Sequence, residues 1–78
     1  MNADLDRAID KNLDAALIQN KLNRDVRYDV KNGVVTLKGT VNSEIRRNQV
    51  AHIASSVPNV RQVVNEVEVK NQKATSTN

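Results

Sequence analysis

The chain has 78 residues, of which 38% are hydrophobic and 27% charged, with Tyr28 as its one aromatic, so it makes a single small domain whose core barely offsets chain entropy. The absence of cysteine excludes a disulfide framework and a thiolate metal site, which leaves aliphatic packing by 12 Val, five Leu and four Ile to hold the fold. A net charge of +3 and a pI of about 9.6 permit anionic partners without demanding them, and no apolar run has the length of a membrane span or the form of a signal-peptide core.

Leu5, Ile9, Leu13, Ala16 and Leu17 recur at helical spacing, which predicts an amphipathic helix from Asp4 to Asn20. Asp4 is the expected N-cap, the aspartates of the early turns suit the positive end of the helix dipole, and Lys21 suits the negative end. Ile18 lies off the stripe, Leu22 is expected to fold back over the sheet edge, and Asn23 is the candidate for a left-handed exit. Asp4, Asp6, Asp10 and Asp14 against Arg7 and Lys11 make this first segment acidic and the rest correspondingly more basic.

Val26, Tyr28 and Val30 then alternate with Arg27, Asp29 and Lys31, and after Asn32-Gly33 the residues Val35, Leu37, Gly39 and Val41 alternate with Val34, Thr36, Lys38 and Thr40. This is a β-hairpin with one wet face, and Asn-Gly tolerates the positive φ angles of a two-residue type I′ turn. A one-residue slip would bury Lys38 and expose Leu37, so pattern and turn fix the same register.

Asn42-Ser43-Glu44 starts a second helix running to about Ser56, with Val50, Ile53, Ala54 and Val57 on one side and Arg46 pointing the same way. Pro58 ends it, and Asn59 takes the left-handed conformation usually given to glycine. Val60 to Val69 is a third strand with Val63, Val67 and Val69 on the apolar face, where Asn65 is out of place. Residues 71–78 have no periodicity and read as a disordered tail behind a single domain at 1–70. The order predicts an α+β, two-layer αββαβ sandwich: a three-stranded mixed sheet, the second strand central, both helices on one face, and Gly39 leaving room for a helix above it.

No catalytic constellation is present. His52 is the sole histidine and reads as a solvated helix residue, Ser43, Ser55 and Ser56 read as cap and helix end, and no metal or cofactor is expected. Single-strand readers need aromatic platforms, and the one tyrosine points inward, so specific nucleic-acid binding is the weakest alternative. The topology gathers Lys21, Arg24, Arg27, Arg46, Arg47, Lys70 and Lys73 at one pole, where Ile18, Leu22 and Ile45 are the apolar residues least used by the core. An apolar rim ringed by cations suits shallow contact with an anionic surface, so Lys21, Arg24, Arg46, Arg47, Ile18 and Ile45 are the candidate lipid or anion site. Neutralisation of these cations by Asp25, Glu44 and Glu68 is the competing reading.

The run Val26-x-Tyr28-x-Val30-x-Asn32-Gly33-x-Val35-x-Leu37-x-Gly39-x-Val41, followed by Arg46 or Arg47, Val50, Ile53, Ala54 and Val57, continues through Asn59-Val60-x-x-Val63-x-Asn65-x-Val67-x-Val69. Taken together it resembles the BON domain of bacterial osmotic-stress, envelope and nodulation-associated proteins, over nearly everything that reads as folded. One departure is Asn59, where that family usually has glycine, and asparagine tolerates the same backbone region. The resemblance implies a non-enzymatic αββαβ module of periplasmic or secreted proteins, transport-associated and often in tandem. The partners it implies are anionic phospholipid surfaces, membrane-associated proteins, a further BON domain or a weak homo-oligomer. The alternative function is a protein-interaction or oligomerisation module using the edges of the first and third strands or the outer sheet face around Val34 and Val64.

Overall fold

The computed structural model describes residues 3–70, and the tail expected at 71–78 lies outside them. Five elements follow one another: α1 (Ala3–Gln19), β1 (Val26–Lys31), β2 (Val34–Val41), α2 (Glu44–Ser55) and β3 (Gln62–Val69). β1 and β2 pair antiparallel, β2 and β3 pair parallel, and β2 is the central strand. On the inner face Tyr28 lies opposite Leu37 and Val30 opposite Val35, while across the parallel pair Val35 meets Val63 and Gly39 meets Val67.

Both helices cover this inner face. Ile9, Leu13 and Leu17 of α1 and Val50 and Ala54 of α2 close over Val26, Val35, Leu37, Val41 and Val67, all buried. Leu37, fully buried on the central strand, is the hub. Arg27, Asp29, Lys31, Lys38, Glu66 and Glu68 occupy the opposite face and are exposed, as the alternation predicts.

The turns follow their residues. Asn32 (φ 52°) and Gly33 (φ 80°) form the hairpin turn, with Lys31 paired to Val34 across it. The Ser43 hydroxyl caps α2 by accepting from the Arg46 amide at 3.2 Å, and Asn59 (φ 73°) makes the left-handed exit beyond Pro58.

Several expectations are corrected. Asp4 lies inside the first turn of α1 and is not its cap, because the helix already begins at Ala3. The left-handed residue after α1 is Lys21 (φ 59°), not Asn23. The Leu22 amide donates to the Leu17 carbonyl at 2.8 Å and the Lys21 amide to the Ile18 carbonyl at 3.0 Å, the two bonds of a Schellman motif. That motif puts an apolar residue just past the turn against the last helical turns, which is why Leu22 is buried in the core. Leu5, expected in the core, is 37% exposed, because a polar contact of Asp6 holds this first turn and the apolar stripe starts at Ile9.

Gly39 serves a different neighbour from the one expected. A Cβ there would sit 2.1 Å from the Asp25 carbonyl oxygen and 3.1 Å from the Val26 Cα, so the backbone of the adjoining strand, not a helix, occupies the space. Its φ of +135° is also one that residues with a side chain rarely adopt.

Candidate functional site

α1 runs from the hairpin tip toward the far end of the sheet, and α2 starts there and runs back. At the tip end, Asp6 takes both free amides of the turn: Asn32 N–H donates to Oδ2 and Gly33 N–H to Oδ1, each at 2.9 Å. One turn further along α1, the Tyr28 hydroxyl donates to Asp10 Oδ1 at 2.9 Å. Burial first, then the hydrogen bond and negative charge of Asp10 and the neighbouring Asp14, push the Tyr28 phenol well above its ordinary value. Asp6 and Asp10, at i, i+4 spacing on one flank of α1, thus fasten it to the hairpin turn and to β1.

The other end is the pole the sequence singles out. The Schellman turn presents Ile18 (53% exposed) and exposed Lys21, the short connection to β1 carries exposed Arg24 and Asp25, and the first turn of α2 offers Ile45 (79% exposed) and exposed Arg46. The two helix ends meet here through Gln49 Nε2, which donates to Asn20 Oδ1 at 3.5 Å. A polar cleft lined by Asp25, Thr40, Asn42 and Lys70 opens beside them. Among the described residues, the ion pairs are Arg7 with Asp4 at 3.6 Å and Lys38 with Glu66 at 4.0 Å, so no carboxylate lies within 4 Å of the Lys21, Arg24 or Arg46 head groups.

Two of the residues assigned to this pole behave differently. Leu22 is buried and contributes nothing to a rim. Arg47 is half-buried: its Nε donates to the Val67 carbonyl at 2.8 Å, on the side of β3 away from β2. Arg46, in turn, points outward and not along the apolar stripe, because that stripe is taken by Val50 and Ala54. Asn65 explains the inward position of its neighbour. Its Nδ2 donates to the Arg47 carbonyl at 3.2 Å and its Oδ1 accepts the Val67 amide at 3.1 Å, so a polar residue on the apolar face ties α2 to the edge strand. The asparagine's place in the valine pattern was the signal for this clasp. For the Asp6 contact the signal was the spacing of the aspartates, which helix-dipole reasoning absorbed too early.

Among the described residues no three His, Asp or Glu side chains are grouped to hold a metal, and no helix is long and apolar enough to cross a membrane. His52 is exposed on α2, where its carbonyl accepts the Ser55 and Ser56 hydroxyls at 2.9 and 2.8 Å.

Fold and surface together define a small two-layer αββαβ module that presents a cationic, partly apolar pole. The family model of the BON domain matches residues 3–71, and the chain belongs to that family. Among solved structures, the chain is similar to the C-terminal domain of CdsD, the structural protein of the type III secretion system of Chlamydia trachomatis, with a TM-score of 0.70 and 23% identity. The match covers 82% of this chain and 33% of that one, so this chain spans about a third of the length of that solved domain. A search of curated proteins finds no matching relative.

Proposed function

We propose that the chain is a non-enzymatic, envelope-associated binding module that docks on anionic phospholipid through the pole formed by Ile18, Lys21, Arg24, Ile45 and Arg46. The observation that carries this reading is the exposure of Ile18 and Ile45 among cations that, among the described residues, have no acidic partner within 4 Å. The water-facing parts of these isoleucines gain nothing from folding, whereas each could sink below lipid headgroups and gain on the order of 1 kcal/mol. Lys21, Arg24 and Arg46 add about 1 kcal/mol each near an anionic surface. The sum gives weak, reversible, salt-sensitive docking, which suits a domain working beside others in a longer or tandem protein. A periplasmic or secreted setting fits the family, and the fold likeness to a secretion-system structural protein supports an envelope role.

The test is co-sedimentation with vesicles of phosphatidylglycerol and phosphatidylcholine. Binding to the mixed vesicles, lost in pure phosphatidylcholine and in high salt, is expected, and Arg24→Glu with Arg46→Glu should abolish it. Ile45→Ser should weaken it roughly fivefold while leaving thermal stability unchanged. Arg47 is a poor choice for reversal, since its guanidinium holds β3. Undiminished binding by the double variant, or equal binding to neutral vesicles, would refute the assignment.

A further inference from the structure

The polar cleft at the corner between the pole and the outer sheet face carries charges that anion binding at the pole leaves unexplained. Thr40 stands between Asp25, whose carbonyl accepts the Thr40 amide at 3.2 Å, and Glu68, its partner across the parallel ladder. Asn42 and Lys70 lie one step nearer the pole, where the Lys70 amide donates to the Val41 carbonyl at 2.7 Å. These five side chains alternate with Val26, Val41, Val67 and Val69 of the inner face, and all five are exposed. Asp25 and Lys70 line the same cleft, yet among the described residues neither they nor Glu68 has an oppositely charged partner within 4 Å. Opposite charges that face one cleft without touching are placed to be bridged by a ligand carrying both signs.

On the membrane reading of the neighbouring pole, on which this inference rests, we propose that the cleft takes the phosphoethanolamine headgroup of a phospholipid. Its phosphate meets Lys70, and its ammonium lies over Thr40 between Asp25 and Glu68. The order of the charges decides the class. In a phospholipid the phosphate adjoins the glycerol and the ammonium stands further from the bilayer, and with the pole on the membrane Lys70 is likewise the nearer group and the carboxylates the further. Two residues of strand separate the two levels, roughly 7 Å. Four covalent bonds of about 1.5 Å link phosphorus to nitrogen, which sets the charges about 4–5 Å apart, and a hydrogen bond at each end closes the difference.

A primary ammonium has three hydrogens to donate, enough for two carboxylates and the Thr40 hydroxyl. The trimethylated nitrogen of choline has none. A glycerol headgroup offers hydroxyls but no positive charge for the carboxylates to hold, and a bare phosphate is repelled by them. With a volume of about 510 Å³ the cleft has room for such a group. The cations of the pole give attraction to any anionic surface, whereas the cleft reads which neutral lipid accompanies the anionic one.

The test is co-sedimentation of the full chain with vesicles of fixed phosphatidylglycerol content in which phosphatidylethanolamine replaces phosphatidylcholine, for wild type and for Asp25→Asn with Glu68→Gln. Wild type should bind the ethanolamine vesicles about threefold more tightly, the worth of an exposed charge pair. The double variant keeps every cation of the pole and should bind both vesicles alike. A preference retained by the variant comes from the looser packing of ethanolamine lipids and overturns the inference. Phosphatidylglycerol-dependent binding with no ethanolamine preference in wild type also overturns it, while leaving the lipid reading of the pole intact. A second arm titrates wild type with soluble glycerophosphoethanolamine, which should shift the amide signals of Asp25, Thr40, Asn42 and Lys70, and with glycerophosphocholine, which should not. Those shifts without any vesicle binding would remove the membrane as the source and uphold the headgroup site; equal shifts with both compounds, or none with either, would overturn it.

Discussion

Replacing Asp6 by alanine isolates the contact that fastens α1 to the hairpin. In a two-residue turn the amides of the two turn residues have no partner within the hairpin, and here both donate to one carboxylate at 2.9 Å. Hydrogen bonds to a charged group contribute about 1.5–3 kcal/mol each when sheltered. The Asn32 amide is exposed and rehydrates when the carboxylate is gone, whereas Gly33 is buried and its amide recovers water less completely. We therefore expect Asp6→Ala to cost about 2 kcal/mol in total, including the favourable position of a carboxylate in the first helical turn. For a domain of this size that lowers Tm by about 8–16 °C. Asp6→Asn, which keeps one acceptor, should lose about half as much. Urea melts give the energies, and amide exchange should quicken at Asn32 and Gly33 before it does in β2. A loss below about 0.5 kcal/mol, the size of an ordinary surface change, with exchange at both amides unaltered, would show that the contact contributes nothing and refute the reasoning.

Leu37→Ala removes a fully buried side chain from the central strand and should cost about 2–5 kcal/mol in a chemical melt; a loss under about 1 kcal/mol would mean the core closes elsewhere. Gly39→Ala combines a positive φ with a Cβ placed against the Asp25 carbonyl, so a loss of at least about 3 kcal/mol is expected, read by thermal unfolding, with disturbed amide signals at Asp25 and Val26. The raised phenol of Tyr28 predicts an alkaline limit to stability. The folded state holds its proton above the ordinary value of 10.0, so this contribution is constant below about pH 10 and is lost as pH rises beyond it. Melts from pH 9 to 11.5 should show that decline in wild type and a shallower one in Tyr28→Phe.

The hairpin, its register and the order of elements were legible because each rests on information within a few residues: strict alternation from Val26 to Val41, an Asn-Gly turn, a Ser43 cap and the Pro58-Asn59 exit. Three of the misreadings have a common cause, in that each concerned a residue whose role is fixed by a neighbour distant in the chain. Gly39 faces the backbone of β1, Arg47 reaches β3, and Asp6 reaches a turn 26 residues away. Lys21 differs: a Schellman turn imposes its backbone angle whether or not the residue suits it, and Asn23 was the better residue in the wrong place. At the pole, the exposure of Ile18 and Ile45 was readable as a departure from the apolar stripes, while the burial of Leu22 required knowing which residue makes the turn.

The clasp at Val67 bears on how the chain keeps its own kind at a distance. Val67 turns its amide and carbonyl outward from the sheet, the two groups a stray strand would need for zipping onto β3, and Asn65 and Arg47 already hold them. An incoming chain would have to break both contacts, one of them to a guanidinium, before its ladder could run through Val67. A valine-rich strand at a sheet border is otherwise a template for fibrils. One asparagine and one arginine, at the expense of two apolar positions, thus interrupt that border midway as a template for amyloid growth while leaving the domain free to meet partners by its faces and poles.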